Sequence, residues 1–481
     1  MNTQTTKHPA GMWLISIIFA VLSFGFGVIN SLLVLYITQT LHFRAAAAYT
    51  LYAAFVSFLY ILPIYSGRIS DWFGCKKAFV LGVILEVTAM YFISIPTKTT
   101  LYFGLALFIT AAAMASPAFF VILGKMYKKN DVRRESAFTI SYMFMNFSYL
   151  VAYITGAYVE QYVSFSTAFV IAASVSLISL FLFWAGHNYL DPDPSRNIKP
   201  RVHVKGPLQF ISFIVVAFLP LPLGLVLLRS AALGNWLIIV IGCLVILGVI
   251  MMAFKQKEKR ARNKLFAFVL LSLVSIGFWA LYMLEPSMLT IFVKNNVNRE
   301  FLGSQIPPSV FTSLDPFYVL VIGFFFSRLW VYLRARNRDI SLPGKFTLSI
   351  IIMSMGFFLL VPAIASASGG KLNMSWMLLI YFFLTLGEML ISPIGNAMVG
   401  RLAPERTEGT LMGAWQVFSG VSAALSAYLA KMAIVPKGGS TAITNPIYSK
   451  AFTKIGLFSL SLGVISLLML PYIKKIMRKE R

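Results

Sequence analysis

Apolar stretches of about 20 residues recur along the whole chain, separated by short polar segments rich in Lys, Arg, Gly and Pro. Stretches of that length match helices that cross a bilayer. The pattern predicts spans over 11–38, 45–66, 78–96, 100–124, 137–159, 165–186, 207–228, 233–254, 265–293, 315–333, 344–365, 374–400, 410–432 and 451–472. Each is expected to be a helix, because an apolar segment in lipid must satisfy its own backbone hydrogen bonds. Fourteen spans would place both ends of the chain on one side.

Charge bears on that count. With the two ends assigned to the cytoplasm, 30 Lys and Arg fall on the cytoplasmic side and 10 on the other, and Arg328 inside the tenth span completes the 41. Such a bias is expected when cytoplasmic loops retain the basic residues. The net charge of +25 is thereby assigned to topology, and no nucleic-acid partner is expected. Over 481 residues, 58% are hydrophobic and 12% charged, with a mean hydropathy of +0.80. Soluble domains carry about twice that share of charge, so a soluble enzyme, a disordered chain and a disulfide scaffold are excluded. Cys75 lies in a basic loop and Cys243 in an apolar span, so they are not expected to pair. The segment MNTQTTKHPAG carries one Lys and no small-residue cleavage site follows it, so the first span is expected to be retained.

The chain divides into six spans over 1–186, a middle section over 187–264, and six spans over 265–481. The middle section opens on the polar linker HNYLDPDPSRNIKPRVHVKG, holds two additional spans and closes on KQKEKRARNK. An all-α protein of two six-helix bundles resembles the major facilitator superfamily, in which the substrate site lies near the membrane midplane. The loop Gly67-Arg-Ile-Ser-Asp71-Trp-Phe-Gly74-Cys-Lys76-Lys77 resembles that superfamily's cytoplasmic signature. Its glycines permit a tight turn, and Asp71 can pair with basic groups or a helix N-terminus in one conformation. The resemblance implies a gating role for Gly67, Asp71, Lys76 and Lys77.

Narrower matches follow in order. The stretch Asp131-Val-Arg133-Arg134-Glu135-Ser-Ala-Phe138-Thr139-Ile-Ser-Tyr142-Met-Phe-Met-Asn146 resembles a segment of the proton-dependent oligopeptide transporter family. Phe278-Trp279-Ala280-Leu281 and Ile306-Pro307-Pro308-Ser309 with Ser313-Leu314-Asp315-Pro316 are similar to it as well. So are Leu386-Gly387-Glu388 with Ser392-Pro393, and Leu411-Met412-Gly413-Ala414-Trp415. The two additional central spans also resemble its bacterial members. The resemblance covers nearly the whole chain. It implies a monomer in a bacterial inner membrane that binds di- and tripeptides, with the proton as coupling ion and no other cofactor.

Matched positions imply a substrate site of Tyr60, Asn146, Trp279, Trp415 and Glu388, the last receiving a peptide amino terminus. Glu388 also stands on physics, since a carboxylate inside an apolar run costs about 2.5–3.5 kcal/mol to insert and marks function by default. Several family charges are absent. The first-helix acidic and basic positions align with Phe19, Leu22 and Ser23, its tyrosines with Phe26 and Gly27, and a further Arg with Asn30. The fourth-helix Lys aligns with Ser116, and a seventh-helix Glu-Gln pair with Met283-Leu284. A substrate carboxylate would then have to be met by Asn30, Ser116 and Asn146.

Glu86, Glu285, Asp315 and Glu388 are the remaining intramembrane acids, with Arg328 the one cation. Glu285 is displaced two residues from the family position, about 200° around a helix, and faces away unless Pro286 reshapes the turn. Glu285 and Asp315 are the candidate coupling or gating acids. Asp315 stands where the family has Asn, and helix N-capping accounts for it. Glu86 is expected to pack against a neighbour. His8, His42, His187 and His203 all lie outside the spans, and no metal-ligand spacing or nucleophile–base pair occurs, so an enzyme is not expected. The expected function is alternating-access transport of small peptides or peptide-like solutes. The open alternatives are a facilitator or exporter of a non-peptide metabolite, and a receptor or scaffold that binds without transport.

Overall fold

A computed structural model describes residues 7–62, 74–127, 131, 133–190, 211, 214, 215, 217–336, 338, 340–404 and 407–477. Gly67 and Asp71, and most of the expected span 207–228 before Ala217, lie outside the described residues. The helices are α1 (Ala10–Gln39), α2 (Ala45–Ile61), α3 (Cys75–Ser94), α4 (Lys98–Lys125), α5 (Arg133–Tyr162) and α6 (Phe165–Ala185). Then come α7 (Pro220–Arg229), α8 (Ala231–Lys255), α9 (Lys259–Tyr282) and, after an irregular turn, α10 (Thr290–Asn296). The last five are α11 (Leu314–Ala335), α12 (Leu342–Ser366), α13 (Ser375–Leu402), α14 (Glu408–Ala430) and α15 (Thr441–Met477).

Eleven helical stretches are long and apolar enough to cross a membrane, and α2 and α7 are shorter apolar helices. With α14, each of the fourteen expected spans corresponds to a helix. Four two-residue strands lie between spans: Val297–Asn298 pairs in parallel with Leu372–Asn373, and Glu300–Phe301 pairs antiparallel with Ser304–Gln305. They occur where the chain is polar, so backbone groups can pair outside the apolar runs.

By backbone proximity the chain forms two compact units, Met1–Leu41 with Ile61–Ser230, and His42–Tyr60 with Ala231–Arg481. The grouping divides the two additional spans from each other and draws α2 into the second unit. The cause is local. Asn235 Nδ2 on α8 donates to the Thr50 carbonyl of α2 at 3.0 Å, and Ser57 Oγ of α2 donates to the Gly420 carbonyl of α14 at 2.9 Å. In the first unit α7 packs on α4, whereas in the second α8 packs on α14.

Small residues set the close approaches. In the first unit, a Cβ on Gly82 of α3 would come within 2.9 Å of the Ala111 carbonyl on α4. Gly104 of α4 meets Ala89 of α3 as closely. Lipid gives two apolar helices no hydrophobic drive to associate, so dispersion across such small-residue seams holds them together. Second-unit α12 packs against both α13 and α15. Cys75 and Cys243 are both free thiols.

Candidate functional site

The second unit gathers three carboxyl groups. Pro286 is the origin of the arrangement, because it lacks an N–H and disfavours helix at the residue before it. α9 ends at Tyr282, and Glu285–Leu289 forms a π-helical turn before α10 resumes. Leu289 N–H donates to the Leu284 carbonyl at 2.9 Å, the five-residue spacing of a π turn. Ser287 Oγ donates to the Met283 carbonyl at 2.8 Å, and Thr290 Oγ1 to the Glu285 carbonyl at 3.1 Å. These bonds satisfy backbone groups that the break exposes. Glu285, which opens this turn, is 3% exposed and within electrostatic range of Asp315 and Glu388.

Asp315 is the hub. Tyr282 Oη donates to its Oδ2 at 2.7 Å, Thr385 Oγ1 donates to its Oδ1 at 2.8 Å, and the Glu388 carboxyl lies beside it. The N-capping explanation is therefore corrected: Asp315 begins α11, but its side chain binds α9 and α13. Thr385 and Glu388 lie three residues apart on α13 and so share one face. Asp315 is 7% and Glu388 5% exposed. Glu285 Oε2 is buried and has no hydrogen-bond partner among the described residues. From α2, Tyr60 lies within electrostatic range of Glu388, and Tyr52 of Glu285. Trp279 joins through its ring, edge-on to Tyr282 with centroids 5.2 Å apart. Trp415 is buried against Gly395, where an added Cβ would lie 2.5 Å from the indole.

Asn30, Ser116 and Asn146 belong to the first unit. Asn30 Nδ2 donates to Tyr153 Oη at 2.8 Å, and Asn146 Nδ2 to the Tyr142 carbonyl at 3.0 Å. Ser116 is half-buried beside Pro117 on α4. At the positions of the missing first-helix charges the core is apolar. Phe19 stacks on Phe119 of α4 with centroids 3.8 Å apart and planes 7° from parallel. Leu22 is buried in the same cluster, and Ser23 Oγ turns back to the Phe19 carbonyl at 2.7 Å. Glu86 packs as expected: Ser176 Oγ donates to its Oε1 at 3.2 Å, and only a glycine at position 25 leaves that oxygen room.

Lys76 and Lys77 open α3, where Lys76 Nζ donates to the His187 carbonyl at 3.3 Å. Arg328 is exposed over the Phe324 ring, 4.2 Å from its centroid. At the start of α5, Arg133 forms a two-point pair with Asp131 of the preceding polar segment at 3.1 and 2.8 Å. Those bonds pull the Asp131 carboxyl down to about 2. Among the described residues no group of three His, Cys, Asp or Glu is arranged to hold a metal ion.

Sequence reasoning missed Tyr282, Thr385 and Tyr52. Thr385 carried a usable signal, three residues before an intramembrane Glu on the same helical face. Tyr282 and Tyr52 carried none beyond being polar-tipped residues in apolar runs.

Comparison with known proteins agrees with this architecture. The POT family model matches residues 76–444. The chain is 28% identical over 464 residues to dipeptide and tripeptide permease B of Xenorhabdus bovienii, covering 95% of this chain and 94% of that one. The permease of the same name from Salmonella typhimurium is 27% identical over 488 residues, covering 98% and 97%. Among solved structures, a bacterial homologue of the human drug peptide transporters PepT1 and PepT2 superposes with a TM-score of 0.84 at 22% identity, covering 97% and 99%. A POT family transporter bound to 5-aminolevulinic acid gives 0.84 at 20% identity, covering 98% of each chain. With the match spanning most of the chain, from the start of α3 into α15, this multi-pass membrane protein belongs to the POT family, the proton-dependent oligopeptide transporters, and is a transporter rather than an enzyme.

Proposed function

We propose that this chain carries small peptides or peptide-like solutes bearing a free amino group across a bacterial inner membrane, by alternating access coupled to protons. The observation that carries the reading is the Asp315 hub, hydrogen-bonded by Tyr282 and Thr385, with Glu388 beside it and Glu285 in electrostatic range. Two carboxyls buried side by side favour sharing one proton, and in this reading the Asp315–Glu388 pair holds one. A substrate ammonium that binds Glu388 competes for the oxygen that shares that proton. The proton then passes to Glu285, the third carboxyl in range, and substrate and proton occupancy become linked. Tyr60, Trp279 and Trp415 supply the aromatic lining. Relatives named dipeptide and tripeptide permeases, at 27–28% identity over nearly the full chain, support the solute class.

One observation favours a narrower solute range than the family's. The Phe19–Phe119 stack and buried Leu22 stand where the family has ionised side chains. Only neutral polar groups, Asn30, Ser116 and Asn146, remain at matched positions for a substrate carboxylate. Peptide-like amines with a neutral second end then bind at least as well as free dipeptides.

Counterflow in proteoliposomes tests the transport reading. Labelled dialanine or its C-terminal amide should accumulate inside vesicles preloaded with the unlabelled solute. Saturable binding without exchange of either label would make the chain a receptor and end the transport reading.

A further inference from the structure

Glu285 stands apart from the other two acids of the second unit. Asp315 and Glu388 lie side by side, whereas Glu285 acts on both through space. Its Oε2 is buried with no hydrogen-bond partner among the described residues. Protons move between groups that are within hydrogen-bond reach or joined by an intermediary. A proton leaving the Asp315–Glu388 pair for Glu285 therefore calls for a group that serves both.

One side chain is placed for this. Tyr282 Oη donates to Asp315 Oδ2 at 2.7 Å, and the same phenol is within electrostatic range of Asp315, Glu388 and Glu285. Tyr282 closes α9, and Glu285 opens the π turn three residues later. Leu284 N–H donates to the Leu281 carbonyl at 3.1 Å across this tightened stretch, a three-residue spacing at which side chains lie one above the other. The ring is flanked by Trp279, edge-on at 5.2 Å between centroids, and by Phe278, 21° from parallel at 6.4 Å. With the ring held, rotation of the O–H is the freedom left to the phenol. Thr385 donates to the other oxygen of Asp315, Oδ1, and so leaves Oδ2 to Tyr282.

We infer that Tyr282 is a proton relay, passing a proton from the Asp315–Glu388 pair to Glu285 through its hydroxyl. The inference rests on the coupling function proposed above and adds its route. A phenol oxygen can accept one hydrogen bond while its O–H donates another. When a substrate ammonium takes Glu388, the shared proton falls to Asp315. Asp315 then donates to Oη, and the phenol O–H turns toward Glu285. The O–H bond on Asp315 breaks as one forms on Oη, and the bond that Oη gives up forms again on Glu285. Tyr282 ends as a neutral phenol, Asp315 ends ionised, and the summed charge of the three acids is unchanged.

Tyr282→Phe removes the oxygen and keeps the ring. Proteoliposomes with a trapped pH dye and labelled dialanine amide report protons and solute entering the same vesicles, and counterflow reports exchange alone. The proton-to-solute ratio should fall about tenfold or more in Tyr282→Phe, with counterflow lowered by less than about threefold. A structural role alone would slow solute entry and acidification in step, and an unchanged ratio would overturn the relay. So would a ratio that falls in Tyr52→Phe but holds in Tyr282→Phe, since the route would then run through α2. A melting curve in detergent shows whether the variant is folded. If it is not, Tyr282→Trp, whose N–H donates but takes up no proton, replaces it with the same expected loss. Solute entry without acidification in the unaltered protein would end the coupling reading and the relay together, whereas acidification by the unaltered protein with an undiminished ratio in Tyr282→Phe ends the relay alone.

Discussion

The two units treat polar groups within apolar helices in opposite ways. In the second unit three buried carboxyls, from a π turn, from the start of α11 and from the middle of α13, converge within one network. In the first, the positions where the family resemblance implied charges, Phe19, Leu22 and Ser23, hold a ring stacked on Phe119, a buried Leu and a Ser bonded to its own helix. One buried acid, Glu86, remains among its described helices, bonded to Ser176 and packed against Gly25. Buried charge is expensive in a membrane and persists where it is used. Under the proposed function the second unit is the one that handles protons and recognises the amine, and the first unit's helices are left to packing and to neutral hydrogen bonds.

The largest effect expected is for Glu388→Gln. Losing a charge-assisted hydrogen bond to a substrate ammonium should weaken amine-bearing solutes by roughly 30- to 100-fold, measured by competition binding. Unchanged affinity would remove Glu388 from the site. Asp315→Asn comes next. It keeps the side-chain shape but removes one of two adjacent carboxyls, so uptake driven by a pH gradient should fall about tenfold while counterflow persists. Equal losses in both assays would make Asp315 a structural group.

Phe19→Ala probes the other side of the contrast. It removes a stacked pair from the first-unit core and should lower the melting temperature on the order of 5 °C. The pH dependence of uptake should not move, and a shifted profile would show that this unit takes part in coupling. The smallest effect belongs to the polar segment before α5. Arg133 holds the Asp131 carboxyl down to about 2, below its unfolded range, so the pair favours the folded state above about pH 4. That contribution disappears as pH falls through about 2. Asp131→Asn should lower the melting temperature slightly at neutral pH, the gap closing toward pH 2. A gap that is constant with pH would point to lost packing instead.

Much of this was legible in the sequence. Apolar run lengths and the Lys and Arg asymmetry yield the spans, and motif order yields the family. Glu388 is conspicuous because a lone carboxylate in an apolar run has few benign explanations. Two features were not legible because they depend on three-dimensional arrangement. Sequence periodicity assumes 3.6 residues per turn, and the π turn at Glu285 breaks that assumption where it matters. Asp315 sits at a helix start, where a local cap is the economical explanation, yet its partners Tyr282 and Thr385 are 33 and 70 residues away. Likewise, nothing local indicates that Phe19 would stack on Phe119, exactly a hundred residues on, rather than face lipid.

The claim that the second unit's carboxyls couple proton and solute is tested most directly by following luminal pH with a trapped dye in proteoliposomes during uptake of dialanine amide. The unaltered protein should acidify the lumen as solute enters. Glu285→Gln should exchange labelled solute at the wild-type rate without acidifying the lumen. Acidification that persists in Glu285→Gln, in step with solute entry, would contradict the assignment.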